Sequence, residues 1–224
     1  NAADLDAAFP DRPVWLSRVD GHAGWANSAA IRAVRRDLSG DWQPDGGRID
    51  RDAAGKPTGL FIDNAMLLVE QARPAMSEAT AEHALEIAMR AAASQGLTGV
   101  HDAGITLAEL GRYQRLADRG RMPLRISAMA DGDSAALESL CRNGLYRHPS
   151  GRLQMRAVKL YADRALGSRG AAILQDYSDD HGNRGLMVMS PAQLATATAK
   201  AKRCGVQVAT HAIGDRGNRE SLDV

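Results

Sequence analysis

The sequence predicts an α/β fold assembled from βαβ units, as an open sheet or a closed barrel. Three observations carry that expectation. Short apolar runs alternate along the chain with longer amphipathic stretches. Most links between them are short, as when each helix returns the chain to the start of a parallel strand. The 224 residues, 44% hydrophobic and 25% charged, can bury a sizeable core in the proportions of an ordinary globular protein.

In order, Val14-Trp15-Leu16 reads as the first strand, and Asn27 to Arg36 follows as a helix with Asn27 or Ser28 as its cap. Gly46 to Asp50 and Thr58 to Phe61, joined by a glycine- and proline-bearing link, read as a hairpin that interrupts the alternation. Asn64 to Gln71 is a short predicted helix, and Ser77 to Ser94 is a long one opened by Ser77. Strands at Leu97 to His101 and Leu124 to Met129 each precede a helix, Leu107 to Arg119 and Ser134 to Leu145. Leu153 to Ala162 is the next strand, followed by a long glycine-bearing loop from Asp163 to Gly185. Ser190-Pro191 opens a helix to Lys202, because proline suits the first helical turn, and Val206 to Thr210 is the last of five alternating strands. Residues 1–2 read as a cloning scar, and the stop at Asp223-Val224, inside a predicted helix, reads as a cut from something longer.

Lys plus Arg number 28 against 27 Asp plus Glu, so the chain lacks the clustered positive excess that nucleic acid or an anionic membrane requires. No apolar run approaches the ~20 residues needed to cross a bilayer. Cys141 and Cys204 lie far apart and outside any CxxC spacing, so no disulfide framework is expected and a reducing cytoplasm is the default.

Side chains alternate faces along a strand. Val158 and Leu160 share one face, while Ala157, Lys159, Tyr161 and Asp163 share the other. In the last strand Val206, Val208 and Thr210 oppose Gln207, Ala209 and His211. The polar faces gather Lys159, His211 and His101 toward strand C-terminal ends, where parallel α/β folds place their chemistry. A buried Lys159 would carry a costly charge, and burial favours its neutral amine, which can add carbon dioxide to become a metal-bridging carbamate. The alternative is a lysine paired with Asp163, or one reaching past the strand edge to water. His211 is a candidate metal ligand with Asp215 as a carboxylate to orient it, or a satisfied core histidine. His22 and His101 are open in the same way, while His83, His148 and His181 are read as solvent-facing. Gly167-Ser168-Arg169-Gly170 is a weak anion-cradle signal, having no phosphate-binding helix behind it.

The stretches VDGHAGWANSAA, GLTGVHDAG, VKLYADRALGSRGAAIL with the following DYSDDHGNRG, and VATHAIGDRGN stand in that order over nearly the whole chain. Together they resemble the amidohydrolase superfamily, in its YtcJ-like branch (amidohydrolase family 3). The resemblance implies a partial TIM (β/α)8 barrel, about five βα units with a β-hairpin insertion, as one domain over 3–224. It implies a metal-dependent hydrolase of amide or related non-peptide C–N bonds acting on a small molecule. Lys159 and His211 would be metal ligands, and His22, Asp163, Ser168 and Arg169 would line the substrate. His101 and Asp215 would support the ligands from behind. Zinc is the expected ion, one or two, with Lys159 carbamylated if two. Arg164 departs from the family's Asp-Gly, which is expected to alter the loop's backbone angle or narrow the pocket. A His-x-His pair is expected upstream and the catalytic aspartate beyond Val224, so no catalytic residue is expected here, and the fragment alone is expected to be inactive. With parallel edges left open, a homo-oligomer is expected.

Two other readings compete. A doubly wound nucleotide-binding domain would need a glycine-rich turn straight after its first strand, where this chain has Asp20-Gly21-His22. A non-catalytic α/β binding module would share the fold and hold no metal.

Overall fold

The computed structural model describes residues 1–132 and 135–224. They divide into two compact units, one of Asn1–Ala75, Asp163–Val188 and Ile213–Gly217, the other of Met76–Ala162, Met189–Ala212 and Asn218–Val224.

The first unit opens with helix α1 (Ala2–Asp6), where Asn1 accepts a hydrogen bond from the Ala3 N–H and Asp4 reaches back to the terminal amine. There follow β1 (Trp15–Ser17), β2 (Ala23–Ala26), α2 (Ser28–Ala33), β3 (Gly47–Arg51), β4 (Pro57–Asp63) and α3 (Met66–Glu70). The strands form one antiparallel sheet in the order β1-β2-β4-β3. The expected hairpin is β3 with β4. The first expected strand, however, does not open a parallel unit: it pairs antiparallel with β2, a strand that sequence reading had taken only as part of a motif. Residues 18–22 between them are too few for the crossover that parallel pairing demands.

One face of this sheet is core, with Ile49, Phe61, Ala26, Leu38 and Val69 in one cluster. Trp15 stands edge-on to Phe61 at 5.9 Å, and its ring fills the space a Cβ at Gly24 would need. Asn27 caps α2 and has no exposed surface. Its Oδ1 accepts from Val14 and Ala30 N–H and its Nδ2 donates to the Phe9 and Arg12 carbonyls, so every polar atom of the amide is satisfied.

The second unit runs α4 (Glu78–Ser94), β5 (Gly99–Ile105), α5 (Leu107–Asp118), β6 (Arg125–Asp131), α6 (Ala135–Asn143), β7 (Tyr146–Arg147), β8 (Leu153–Tyr161), α7 (Pro191–Arg203) and β9 (Gln207–His211). Helix α8 (Asp215–Leu222) follows. Four of the five alternating strands are parallel neighbours in the order β5-β6-β8-β9, and the short β7 pairs antiparallel with the first half of β8. Ser77 caps α4, while Thr106 and Ser190 make reciprocal capping boxes with Glu109 and Gln193 on α5 and α7. Ser134, the expected start of the sixth helix, lies outside the described residues.

Helices α4 and α5 are tied by Glu78 and Glu82 to Arg112, Arg115 and Arg119, and Tyr113 donates from α5 to Asp102 on β5 at 2.7 Å. His148 corrects its expectation: it is 8% exposed, with Nε2 3.0 Å from Asp118 and Nδ1 2.8 Å from Ser150. The cysteines are a second correction. Cys141 on α6 and Cys204 at the C-terminus of α7 form a disulfide across 63 residues, because the βαβ path returns the two helices to neighbouring positions. The premise for a reducing compartment is thereby removed. Among the described residues no helix is long and apolar enough to cross a membrane.

Candidate active site

The chemistry-bearing residues of the second unit collect at the C-terminal ends of its parallel strands. Lys159 of β8 stands in register between Asp131 of β6 and Ala209 of β9, and two residues on Tyr161 stands level with His211. Register neighbours share a face, so Asp131, Lys159, Tyr161 and His211 form one polar row. On the opposite face Val158 and Leu160 have no exposed surface, as the alternation predicted. Lys159 is half-buried rather than buried. Its Nζ lies 4.1 Å from the centroid of the Tyr161 ring and 3.4 Å from the Leu160 carbonyl oxygen, contacts that suit an ammonium. The Tyr161 and His211 rings lie 6.2 Å apart.

Gly104 completes this arrangement. Its φ of +98° is one that side-chain-bearing residues rarely adopt, and a Cβ there would lie 2.9 Å from the Tyr161 hydroxyl, with Asp131 Oδ1 at 3.8 Å. The glycine thus leaves the space into which Tyr161 extends. A cavity of about 570 Å³ opens beside Asp131, Lys159 and Tyr161, walled by Leu137 of α6 and by Gln193, Thr196 and Lys200 of α7.

Two expected site residues, His101 and Asp163, are placed otherwise, and Asp215 makes backbone contacts of its own. His101 does not end its strand: β5 continues to Ile105, and His101 is exposed and level with Ser127 and Gln154, well before Lys159 along β8. Asp163 does not line a pocket. Strand β8 ends at Tyr161, so alternation no longer governs Asp163, and its fully buried carboxylate accepts the Ile213, Gly214 and Ala172 N–H groups at 2.9, 2.7 and 3.0 Å. Asp215 Oδ1 accepts from the Leu174 and Arg216 N–H groups at 2.9 and 2.8 Å.

The remaining expected residues belong to the first unit. His22 is half-buried, its Nδ1 2.8 Å from Asp63 Oδ1, and Asp63 holds a left-handed φ of +50°. The Ser168 hydroxyl donates to the Ala165 carbonyl. Arg169, at φ +57°, forks onto Asp179, with Nη2 2.9 Å from Oδ2. Arg164 donates to the Asn64 side chain at 2.5 Å, and the strained backbone lies at Arg169 rather than at Arg164.

Sequence reading missed Asp131 and Tyr161. Asp131 was lost by ending its strand two residues early, while Tyr161 carried a signal, its place two residues beyond Lys159 on the same face. Among the described residues no group of three or more His, Cys, Asp or Glu side chains is placed to hold a metal ion.

The C-terminal ends of parallel strands are where α/β barrels place their active sites, whatever the reaction. A sequence profile described as "Amidohydrolase family" matches residues 1–224, and the chain belongs to that family. It is 36% identical over 223 residues to the YtcJ protein of Bacillus subtilis (strain 168), covering 95% of this chain and 40% of YtcJ. It is 30% identical over 221 residues to the N-substituted formamide deformylase of Arthrobacter pascens, with coverages of 95% and 40%. Among solved structures, an uncharacterized metal-dependent hydrolase from Pyrococcus horikoshii OT3 superposes with a TM-score of 0.73 at 25% identity, over 99% of this chain and 43% of its own. The fold is accordingly α/β, a partial (β/α)8 barrel, and the chain spans 40% of the length of each of these two relatives.

Proposed function

We propose that the intact protein is a metal-dependent hydrolase of amide or related non-peptide C–N bonds in small molecules, with Lys159 and His211 in its metal site. The observation that carries this is their placement on one face at the C-terminal ends of neighbouring parallel strands, with Asp131 directly across from Lys159. Family membership supports it, as do relatives named a deformylase of N-substituted formamides and a metal-dependent hydrolase.

The donors fit a divalent ion in kind. Imidazole and carboxylate-type oxygen suit zinc, the ion we propose. They fall short in number, since a catalytic zinc centre takes about three protein ligands and this chain offers His211 and a modified Lys159. The neutral Lys159 amine becomes an oxygen donor by adding carbon dioxide, forming an N–C bond and releasing one proton; we propose this form where two ions are held. The chemistry supplied by a bound divalent ion is polarisation of the substrate carbonyl and acidification of water. Tyr161 neighbours both ligand positions, its ring centroid 4.1 Å from Lys159 Nζ and 6.2 Å from that of His211. His22, Ser168 and Arg169 are proposed to contact substrate, with His22 held in place by Asp63.

In the intact protein, Lys159→Ala is expected to abolish hydrolysis of N-substituted formamides and to lower bound zinc measured by elemental analysis. Val158→Ala, on the buried face, is expected to retain metal and turnover while losing about 1–3 kcal/mol of stability. Wild-type turnover in Lys159→Ala would remove the metal role.

A further inference from the structure

We infer that the first unit carries a binding site for a small amphipathic carboxylate on the outer face of its antiparallel sheet. Two cross-strand rows build it. Leu16, Trp25 and Leu60 lie side by side on β1, β2 and β4, and Ala23, Ile62 and Arg48 lie side by side on β2, β4 and β3. The rows are two residues apart, so they share the face opposite the Phe61 core. Leu16 is 47% and Leu60 37% exposed, leaving an uncovered apolar floor around one indole.

This floor is a cavity rather than a flat sheet. The loop at residues 167–169 forms a wall, and the open cleft of about 720 Å³ falls within the range of small-molecule sites. The wall includes Arg169, whose left-handed backbone is costly for a side-chain-bearing residue and is held by its fork onto Asp179.

Charge selects the ligand. The lining holds three arginines, Arg18, Arg48 and Arg169, against one aspartate, Asp50, whose carboxylate accepts the Thr58 hydroxyl at 2.6 Å. Arg18 is paired with Asp20 and Arg169 with Asp179, so those charges are already balanced. Arg48 stands on the rim, and no ion pair to it occurs among the described residues. A guanidinium presents parallel N–H donors matched to a carboxylate, and an apolar or aromatic body of the same molecule would cover the Leu16–Trp25–Leu60 row. A neutral apolar molecule would leave Arg48 unused, and a purely ionic one would leave the floor in water.

The inference shares Ser168 and Arg169 with the hydrolase reading but needs neither metal nor turnover, so each can fail alone. The test titrates 4-phenylbutyrate and its neutral amide into the full chain, by calorimetry and tryptophan emission. Saturable binding of the carboxylate is expected, at least about tenfold tighter than the amide. Arg48→Gln is expected to remove that preference, and Leu60→Asp to weaken both probes. The exposed Arg73→Gln, outside the cavity, is expected to change nothing. Absence of saturable binding, equal binding of acid and amide, or indifference to Arg48→Gln would each overturn the inference.

Discussion

Gly104 shows how a site can depend on an atom that is absent. At φ +98°, with the Tyr161 hydroxyl 2.9 Å from where a Cβ would stand, the position excludes a side chain on both backbone and steric grounds. Gly104→Ala is expected to cost about 1–3 kcal/mol in urea denaturation. Tyr161→Phe removes the clashing oxygen, so the double variant is expected to lose less than the two single losses added together. Strict additivity would show that backbone strain, not the hydroxyl, sets the cost. Asp163 teaches the converse: an acidic residue in a motif-like stretch serves as an anchor for three backbone N–H groups. Residue type singled out Asp163 and passed over Asp131, and only their surroundings show that the first is buried and the second lines a cavity.

At the scale of elements, the joints between helices decide how firmly the second unit is held. The Cys141–Cys204 bond closes a 63-residue separation between α6 and α7, which by chain entropy is worth roughly 4 kcal/mol. Thiol titration is expected to find no free cysteine before reduction, and dithiothreitol is expected to lower the urea midpoint; an unchanged midpoint would show the bond to be unstrapped from stability. The α4–α5 joint is sensitive to acid. Hydrogen bonding from Arg115 to Glu82 and from Arg112 to Glu78 holds both carboxyls below their ordinary range. A depressed folded-state pKa contributes stability that is present above the unfolded value near 4.5 and lost as pH falls through the folded value. Stability is therefore expected to decline below about pH 4.5, and Glu82→Gln to make the decline shallower. Urea melts across that range in both proteins provide the measurement.

For the whole molecule, the exposed strand edges bear on assembly. Among the described residues the only strand paired with β5 is β6 and the only strand paired with β9 is β8, so each is an edge at which another chain could add a strand. Self-association, most simply as a symmetric dimer, is expected from light scattering at several concentrations. A strictly monomeric species at every concentration would mean that side chains and loops shield these edges.

What could be read from the sequence was whatever depends on neighbours along the chain. Alternation placed Val158 and Leu160 opposite Lys159, capping residues located the starts of α2, α4 and α7, and motif order indicated the family. Strand ends were less legible, because propensity fades gradually whereas pairing stops abruptly; that put His101 at an end it does not occupy and left Asp131 unseen. The antiparallel pairing of β1, the Cys141–Cys204 bond, the burial of Asp163 and His148, and the outward apolar rows with Arg48 were decided by tertiary structure alone. Each depends on which distant segments the fold brings together, and that proximity has no local signature: a cysteine or an aspartate looks the same in sequence whether its partner is solvent or a residue dozens of positions away.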